Sequence, residues 1–279
     1  MPAIVFGKLR PPALIGLLVL MGFIGLATLA PWVAPHDPWQ PSSAFLEPSM
    51  NHPLGTNDIG QDILSELAYG ARVSLFVGFV AASVSLGIGV VIGVLSGYLR
   101  GYFDEAAMGL TDVFFMLPAL PLAILIAAYL GASMAGLVFV IAVVSWPGTA
   151  RVVRSQVITV RELGYVEAAR AMGAGSLWNM TRHILPNVSG IILAKFALAV
   201  GSAMTAEASL SFLGLGDPTA KSWGAMLHYA FSRGGLIRDL WWWYLPPGLC
   251  IGLCVLSFSL LGFYLTEEGD PRLKRMLRM

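Results

Sequence analysis

Few residues of this chain could do chemistry, and they lie far apart. Of its 279 residues 57% are hydrophobic and 12% charged, so each acid, base, thiol and imidazole beside apolar sequence stands out. Glu207 sits inside an apolar run, where a carboxylate at mid-helix costs about 2.5–3.5 kcal/mol on an insertion scale. With Ser209 and Ser211 close behind it, Glu207 reads either as an inward-facing polar contact or as a structural tie to a neighbouring helix. Cys250 and Cys254 fall one helical turn apart in apolar sequence, where a thiol acts as a small hydrophobe, so neither a disulfide nor a metal framework is expected. No two of the four histidines share metal-ligand spacing on one helix, and H-E-x-x-H is absent. Gly216-Asp217-Pro218-Thr219-Ala220-Lys221-Ser222 lacks the glycine before lysine that a phosphate loop requires. An intramembrane enzyme would need a dyad, and Glu207, Asp112, Cys250 and His183 have no evident partners. The expectation is no catalytic residue, no metal and no cofactor.

The surrounding sequence explains the scarcity. The charged fraction is about half that of an ordinary soluble domain, and 17 basic residues nearly balance 16 acidic ones. A water-soluble globule is excluded, and no basic surplus points to nucleic acid. A helix needs about 20 apolar residues to cross the hydrocarbon, so gaps between charges count the crossings. Leu14 to Val33 gives span one and Val73 to Leu99 span two. The 38 uncharged residues between Asp112 and Arg151 would reach about 57 Å as one helix, so they give two spans with a hairpin near Gly131, Ala132 and Ser133. Val188 to Leu213 and Leu245 to Leu265 complete six. Pro118, Pro121 and Pro147 should kink or end spans three and four. The first apolar stretch resembles a secretory signal but is about 20 residues long instead of 7 to 15, and an uncleaved first helix is the simpler reading.

Basic residues in the loops set the orientation. With the N-terminus inside, Lys8, Arg10, Arg100, Arg151, Arg154, Arg161, Arg170, Arg182, Arg272, Lys274, Arg275 and Arg278 are cytoplasmic, against Arg72, Lys221, Arg233 and Arg238 outside. Both termini are expected in the cytoplasm. Lys195 is expected to snorkel to the cytosolic interface, and Asp112 to sit at the entrance of span three.

Three connections are longer than neighbouring helices need. Two are external, about residues 35–72 and 214–243; the former ends in a short amphipathic segment feeding span two. The third, about 151–187, is internal. There Leu163, Val166, Ala169 or Arg170, and Met172 or Gly173 fall at helical spacing, beside Glu167. Ala168, Ala169 and Ala171 allow close approach, and Gly173 and Gly175 permit a sharp turn. A short helix over about 163–175 fits a partner's groove and a headgroup interface equally well.

Glu167-Ala168-Ala169, Gly173 four residues after Ala169, and Leu185-Pro186 resemble the EAA motif of binding-protein-dependent ABC importer permeases. His183 occupies its isoleucine position, and the run Arg182-His183-Ile184-Leu185-Pro186-Asn187 resembles the peptide-permease version. His52-Pro53-Leu54-Gly55-Thr56-Asn57-Asp58-Ile59-Gly60-Gln61-Asp62 is similar to the HPLGTDxxGRD segment of the dipeptide/oligopeptide/nickel branch, with Asn57 in place of Asp and Gln61 in place of Arg. Ala206 to Gly216 resembles its fifth-helix signature.

The resemblance implies an all-α, six-span type I ABC importer permease of the C type. It divides into an N-terminal segment, 1–72, and a core, 73–279. Glu167, Ala168, Ala169, Arg170, Gly173, Leu185 and Pro186 are then the residues coupling it to a cytosolic ATPase, and Glu207, Ser209 and Ser211 the candidates for the path or gate. The partners implied are a homologous B-type permease, one or two ATP-binding subunits that hydrolyse the ATP, and an extracytoplasmic solute-binding protein, all at the cell membrane. The cargo implied is a dipeptide or oligopeptide; a nickel or metal-chelate importer shares the motifs, and a stand-alone secondary transporter is the remaining alternative.

Overall fold

The structure, a computed structural model, describes residues 11–269, with side chains as far as residue 267. The basic residues at 8, 10, 272, 274, 275 and 278 lie outside this range. Eleven helices are found among the described residues, and no strand; Thr56 and Asp62 form one isolated bridge. Helix α1, Pro11–Thr28, is span one, followed by the short α2, Ala30–Val33. Its closing carbonyls, left without partners inside the helix, accept from Arg72, whose Nε lies 2.5 Å from the Ala27 oxygen.

Span two starts earlier than the charge gaps place it. Asp62 caps α3, Ile63–Leu99, by accepting the Ser65 amide at 2.8 Å. The amphipathic segment expected to feed the span is therefore the first turns of one 37-residue helix. Arg100 and Gly101, at φ 58° and 63°, turn the chain into α4, Gly101–Met116.

Span three is broken. A proline drives the residue before it out of helical geometry, and Leu117 stands at ψ 131° ahead of Pro118. Helix α5, Ala119–Leu130, leaves at 91° to α4. Pro118 thus ends a helix as expected, whereas Pro147 sits inside a continuous α6, Met134–Arg161. The expected hairpin is present: Gly131 takes φ 82°, and Ser133 caps α6 by accepting the Gly136 amide at 3.1 Å.

The internal connection holds α7, Gly164–Ala171, and α8, Ser176–Asn179; a π-helical turn, Met180–Ile184, then feeds α9, Leu185–Phe212. From Ser176 to Phe212 the helical run is unbroken, 37 residues long. Pro186 has no amide to donate back, and the wider turn just before it absorbs the gap. The second external connection contains α10, Trp223–Ser232, before α11, Trp241–Gly269. Five of these helices are long and apolar enough to cross a membrane, and the bent pair α4–α5 makes the sixth.

Helices α3 and α6 pack closely in the core. Gly89, Gly93 and Gly97 place one bare face of α3 against α6; a Cβ on Gly93 would lie 2.7 Å from the Ala150 oxygen and 2.8 Å from Val153 Cβ. Small residues at this spacing let backbones approach in lipid, where apolar burial gives helices little reason to associate. Two ion pairs add α4 to the same bundle: Arg154 grips Asp104 through Nε (2.5 Å) and Nη2 (2.6 Å), and Arg151 reaches Asp112 at 2.5 Å. Asp112 therefore joins α4 to α6.

Candidate functional site

The EAA residues build a small projecting structure at the cytosolic end. Val166 is fully buried and Ala169 is 5% exposed. Val166 packs into a cluster with Val94 and Tyr98 of α3, Val153 and Val157 of α6, and Met180, Ile184 and Val188. Glu167, Ala168, Arg170 and Gly173 are exposed. The apolar stripe expected to meet another surface is thus divided, because Val166 and Ala169 face the bundle while Leu163 and Met172 face out. The outward surface is carried instead by Ala168, Ala171 and the exposed Met172, Leu177 and Trp178.

The turn after α7 has defined geometry. Gly173 adopts φ 91°, its amide donates to the Arg170 oxygen at 3.0 Å, and the Ala174 amide donates to the Ala169 oxygen at 3.0 Å. This six-to-one plus five-to-two pairing is the Schellman closure, which needs a left-handed residue at the glycine position. Buried Asn179 holds the turn from the other side, donating to the oxygens of Ala174 (3.0 Å) and Gly175 (3.3 Å). His183 lies edge-on to Tyr165 (5.6 Å) and Trp178 (4.9 Å). It therefore packs between rings at the position where the motif has isoleucine. Leu185 and Pro186 start α9 beside the π-helical turn and are exposed. Arg100, ion-paired to Glu162, joins the start of α4 to the end of α6.

The external end holds a second polar cluster. Glu207 is 1% exposed and accepts from Ser211 (2.8 Å) and Ser74 (3.3 Å); Ser74 in turn accepts the Trp223 amide at 3.2 Å. Glu207 and Ser211, with Asp217 and Ser222, line a cavity of about 10 Å³, the room one water needs. Ser209 is not part of this cluster, and its hydroxyl donates along its own helix to the Thr205 oxygen. Outside the membrane segments, the Thr219 hydroxyl and amide hold the Asp217 carboxyl below its usual range. The two cysteines are free, and Cys254 Sγ lies 3.6 Å from Met204 Sδ.

The loop between α2 and α3 packs against this end. Asn57 and Gln61 bond to each other at 3.1 Å, and Asn57 also donates to Glu66 at 3.2 Å. Lys221 brings a cation to this cluster, donating to Gln61 Oε1 (2.6 Å) and Glu66 Oε1 (2.5 Å). Nearby, His36, His52 and Asp62 bring ligand-type atoms within 4.8 Å of one another. These atoms are engaged, His52 with Asp62 at 2.9 Å, Asp62 with Ser65, and His36 with the Asn51 oxygen at 2.8 Å. Residues outside the expected site complete it: Asn179, Trp223, whose indole donates to the Leu67 oxygen at 3.0 Å, and Lys221. Only α10 carried a local signal, the apolar run Trp223 to Phe231.

Five helices long and apolar enough to cross a membrane, a bent pair that makes a sixth, and a short helix anchored on the bundle on one side and exposed on the other describe a polytopic membrane protein. The sequence matches the family described as binding-protein-dependent transport system inner membrane component over residues 89–275, and the N-terminal TM domain of oligopeptide transport permease C over residues 8–53. The chain belongs to this family of ABC transport permeases and is an inner-membrane protein. It is 39% identical over 271 residues to the di/tripeptide transport system permease protein DppC of Pseudomonas aeruginosa, covering 94% of this chain and 88% of that one. It is 38% identical over 263 residues to a putative peptide transport system permease protein of Brucella suis (93% and 88% covered). It is 35% identical over 266 residues to the glutathione transport system permease protein GsiD of Escherichia coli (94% and 87% covered). A chain of the inward-facing MetNI methionine ABC transporter superposes with a TM-score of 0.57 at 17% identity, over 75% of this chain and 95% of that one. Membership implies ATP-binding and substrate-binding partner subunits and a second permease.

Proposed function

We propose that this chain is the C-type permease of a peptide importer. It forms half of the path for dipeptides or oligopeptides with a B-type partner, receives cargo from an extracytoplasmic binding protein, and is driven by one or two cytosolic ATPases docked on α7. The observation that carries the coupling role is the division of α7 into a buried and an open side. Val166 and Ala169 fix it to a core shared by α3, α6 and α9, while Glu167, Ala168, Arg170, Met172 and Gly173 stay accessible. A push on such a helix moves the bundle as a body, which is how packed elements transmit displacement. The peptide cargo is supported by the relatives named for peptide transport, and ligand identification on the cognate binding protein separates it from a metal chelate.

Gly173→Asp tests the coupling. A Cβ there meets nothing within 4 Å, and aspartate visits left-handed geometry more readily than most residues. The variant should insert and fold, yet lose co-purification of the ATPase subunits and ATP-driven uptake in proteoliposomes. Normal recovery of the complex with stimulated hydrolysis would remove α7 from this role.

A further inference from the structure

Lys195 lies about midway along the unbroken helical run Ser176–Phe212 and lines a cavity of about 130 Å³ between α3, α6 and α9. A single water needs about 10–15 Å³, so the space admits a solute group with its hydration. Ser85, Ser145, Thr149 and Ser202 supply hydroxyls to the same walls, and no carboxylate lines them. Among the described residues Lys195 Nζ has neither an ion pair nor a hydrogen bond. Ser85 is 2% exposed and its Oγ is buried without a hydrogen-bond partner. A cation, an unsatisfied hydroxyl and an opening cannot face hydrocarbon without cost. Such a wall faces water or a polar solute.

We propose that this cavity is a carboxylate-binding station on the translocation path, where Lys195 and the Ser85 hydroxyl receive the anionic group of the cargo; for a peptide, this is its terminal carboxylate. Identifying that carboxylate as a peptide's rests on the peptide-importer reading, whereas the anion site itself does not. Lipid phosphate is the other source of anionic oxygens, and the comparison of a dipeptide with its C-terminal amide separates the two. A lysine ammonium donates up to three hydrogen bonds, and bonds between charged groups are about twice as strong as neutral ones. Passage requires the group to be held weakly enough to leave, and one lysine with serine hydroxyls is a modest clamp.

Two measurements on the assembled importer test this. In the first, Ser202→Cys is labelled with an anionic sulfonate and a cationic ammonium thiol reagent, with the native serine as the blank for Cys250 and Cys254. The anionic reagent should react about tenfold faster or more, the range by which a charged cleft concentrates counter-ions, and Lys195→Met should abolish the preference. No preference, or one that survives Lys195→Met, overturns the proposal; the former is the result if an acid of the second permease neutralises Lys195. In the second, uptake of a dipeptide is compared with uptake of its C-terminal amide. Wild type should favour the free acid about tenfold, and Lys195→Met should lose that advantage while Lys195→Arg keeps part of it. Equal loss of both cargoes in Lys195→Met makes the residue structural and overturns the carboxylate role. If labelling shows the anion preference but wild type carries neither cargo, the peptide reading fails and the anion site stands.

Discussion

Lys221 Nζ and Glu66 Oε1, 155 positions apart in the chain, lie 2.5 Å apart at the external end of the bundle. The pair joins the connection ahead of α10 to the first turn of α3. Both side chains are largely covered, at 17% and 4% exposure. Removing one partner of such a pair strands the other, a loss on the order of 3 kcal/mol. Lys221→Met and Glu66→Gln should therefore each lower the unfolding midpoint of the solubilised protein, and the double variant should lose less than the sum. Strict additivity in that cycle would show that the two side chains do not support each other.

Ala168 and Ala169 are adjacent, and one faces outward while the other is packed on the core. Ala168→Trp should leave thermal stability within about 0.5 kcal/mol, as surface changes do, and block ATPase docking. Ala169→Trp should overpack the cluster around Val166 at a cost of about 1–3 kcal/mol. Circular-dichroism melts paired with co-purification read both effects. The opposite pattern would mean that α7 is rotated from the orientation described.

Glu207 accepts hydrogen bonds from the hydroxyls of Ser74 and Ser211. Glu207→Gln keeps an acceptor at one oxygen position, so most expression and stability should survive. Glu207→Leu leaves the hydroxyl protons of both serines without their acceptor, about 1–3 kcal/mol for each buried group, although Ser74 still accepts the Trp223 amide, and should reduce the folded yield. If the leucine variant folds normally and only uptake fails, Glu207 acts in the path and not as a tie between α3 and α9.

The face of α3 against α6 has no room for a methyl group at Gly93, whereas a Cβ at Gly87 meets nothing within 4 Å. Gly93→Ala should cost about 1–3 kcal/mol, and Gly93→Leu should prevent assembly of the bundle. Gly87→Ala on the same helix is the control and should match or exceed wild type in its melting temperature, since alanine is the better helix former. Equal tolerance at both positions would rule out the close packing.

The crossings and the EAA helix were legible in sequence because their signals are local. Charge gaps measure helix length, and Glu167-Ala168-Ala169 through Gly173 lies on one helix and its turn. The break at Leu117–Pro118 was harder to read: the proline was visible, but the gap between Asp112 and Arg151 counts residues and not direction. Helix α10 has ten residues, too few to register as a span, and its Trp223 is buried by partners far away in sequence. Lys221 meeting Glu66, and Lys195 lining a cavity, depend on tertiary neighbours that spacing does not encode. The Gly89-x3-Gly93-x3-Gly97 stripe could have been found by its four-residue period alone.

The helical run from Ser176 to Phe212 is about 55 Å long at 1.5 Å per residue, and it joins the α7 end to the Glu207 end with one π-helical turn, Met180–Ile184, near its cytosolic end. A beam of that length pivoting near its middle carries its two ends in opposite directions: a tilt of about 5° displaces each by roughly 2.4 Å, while the fulcrum turns almost in place. Lys195 sits close to the middle of the run. For a pivot at that point, motion at the cytosolic end shifts the external end by ångströms and leaves the Lys195 cavity nearly in place, so a solute paused there meets mouths that exchange around it.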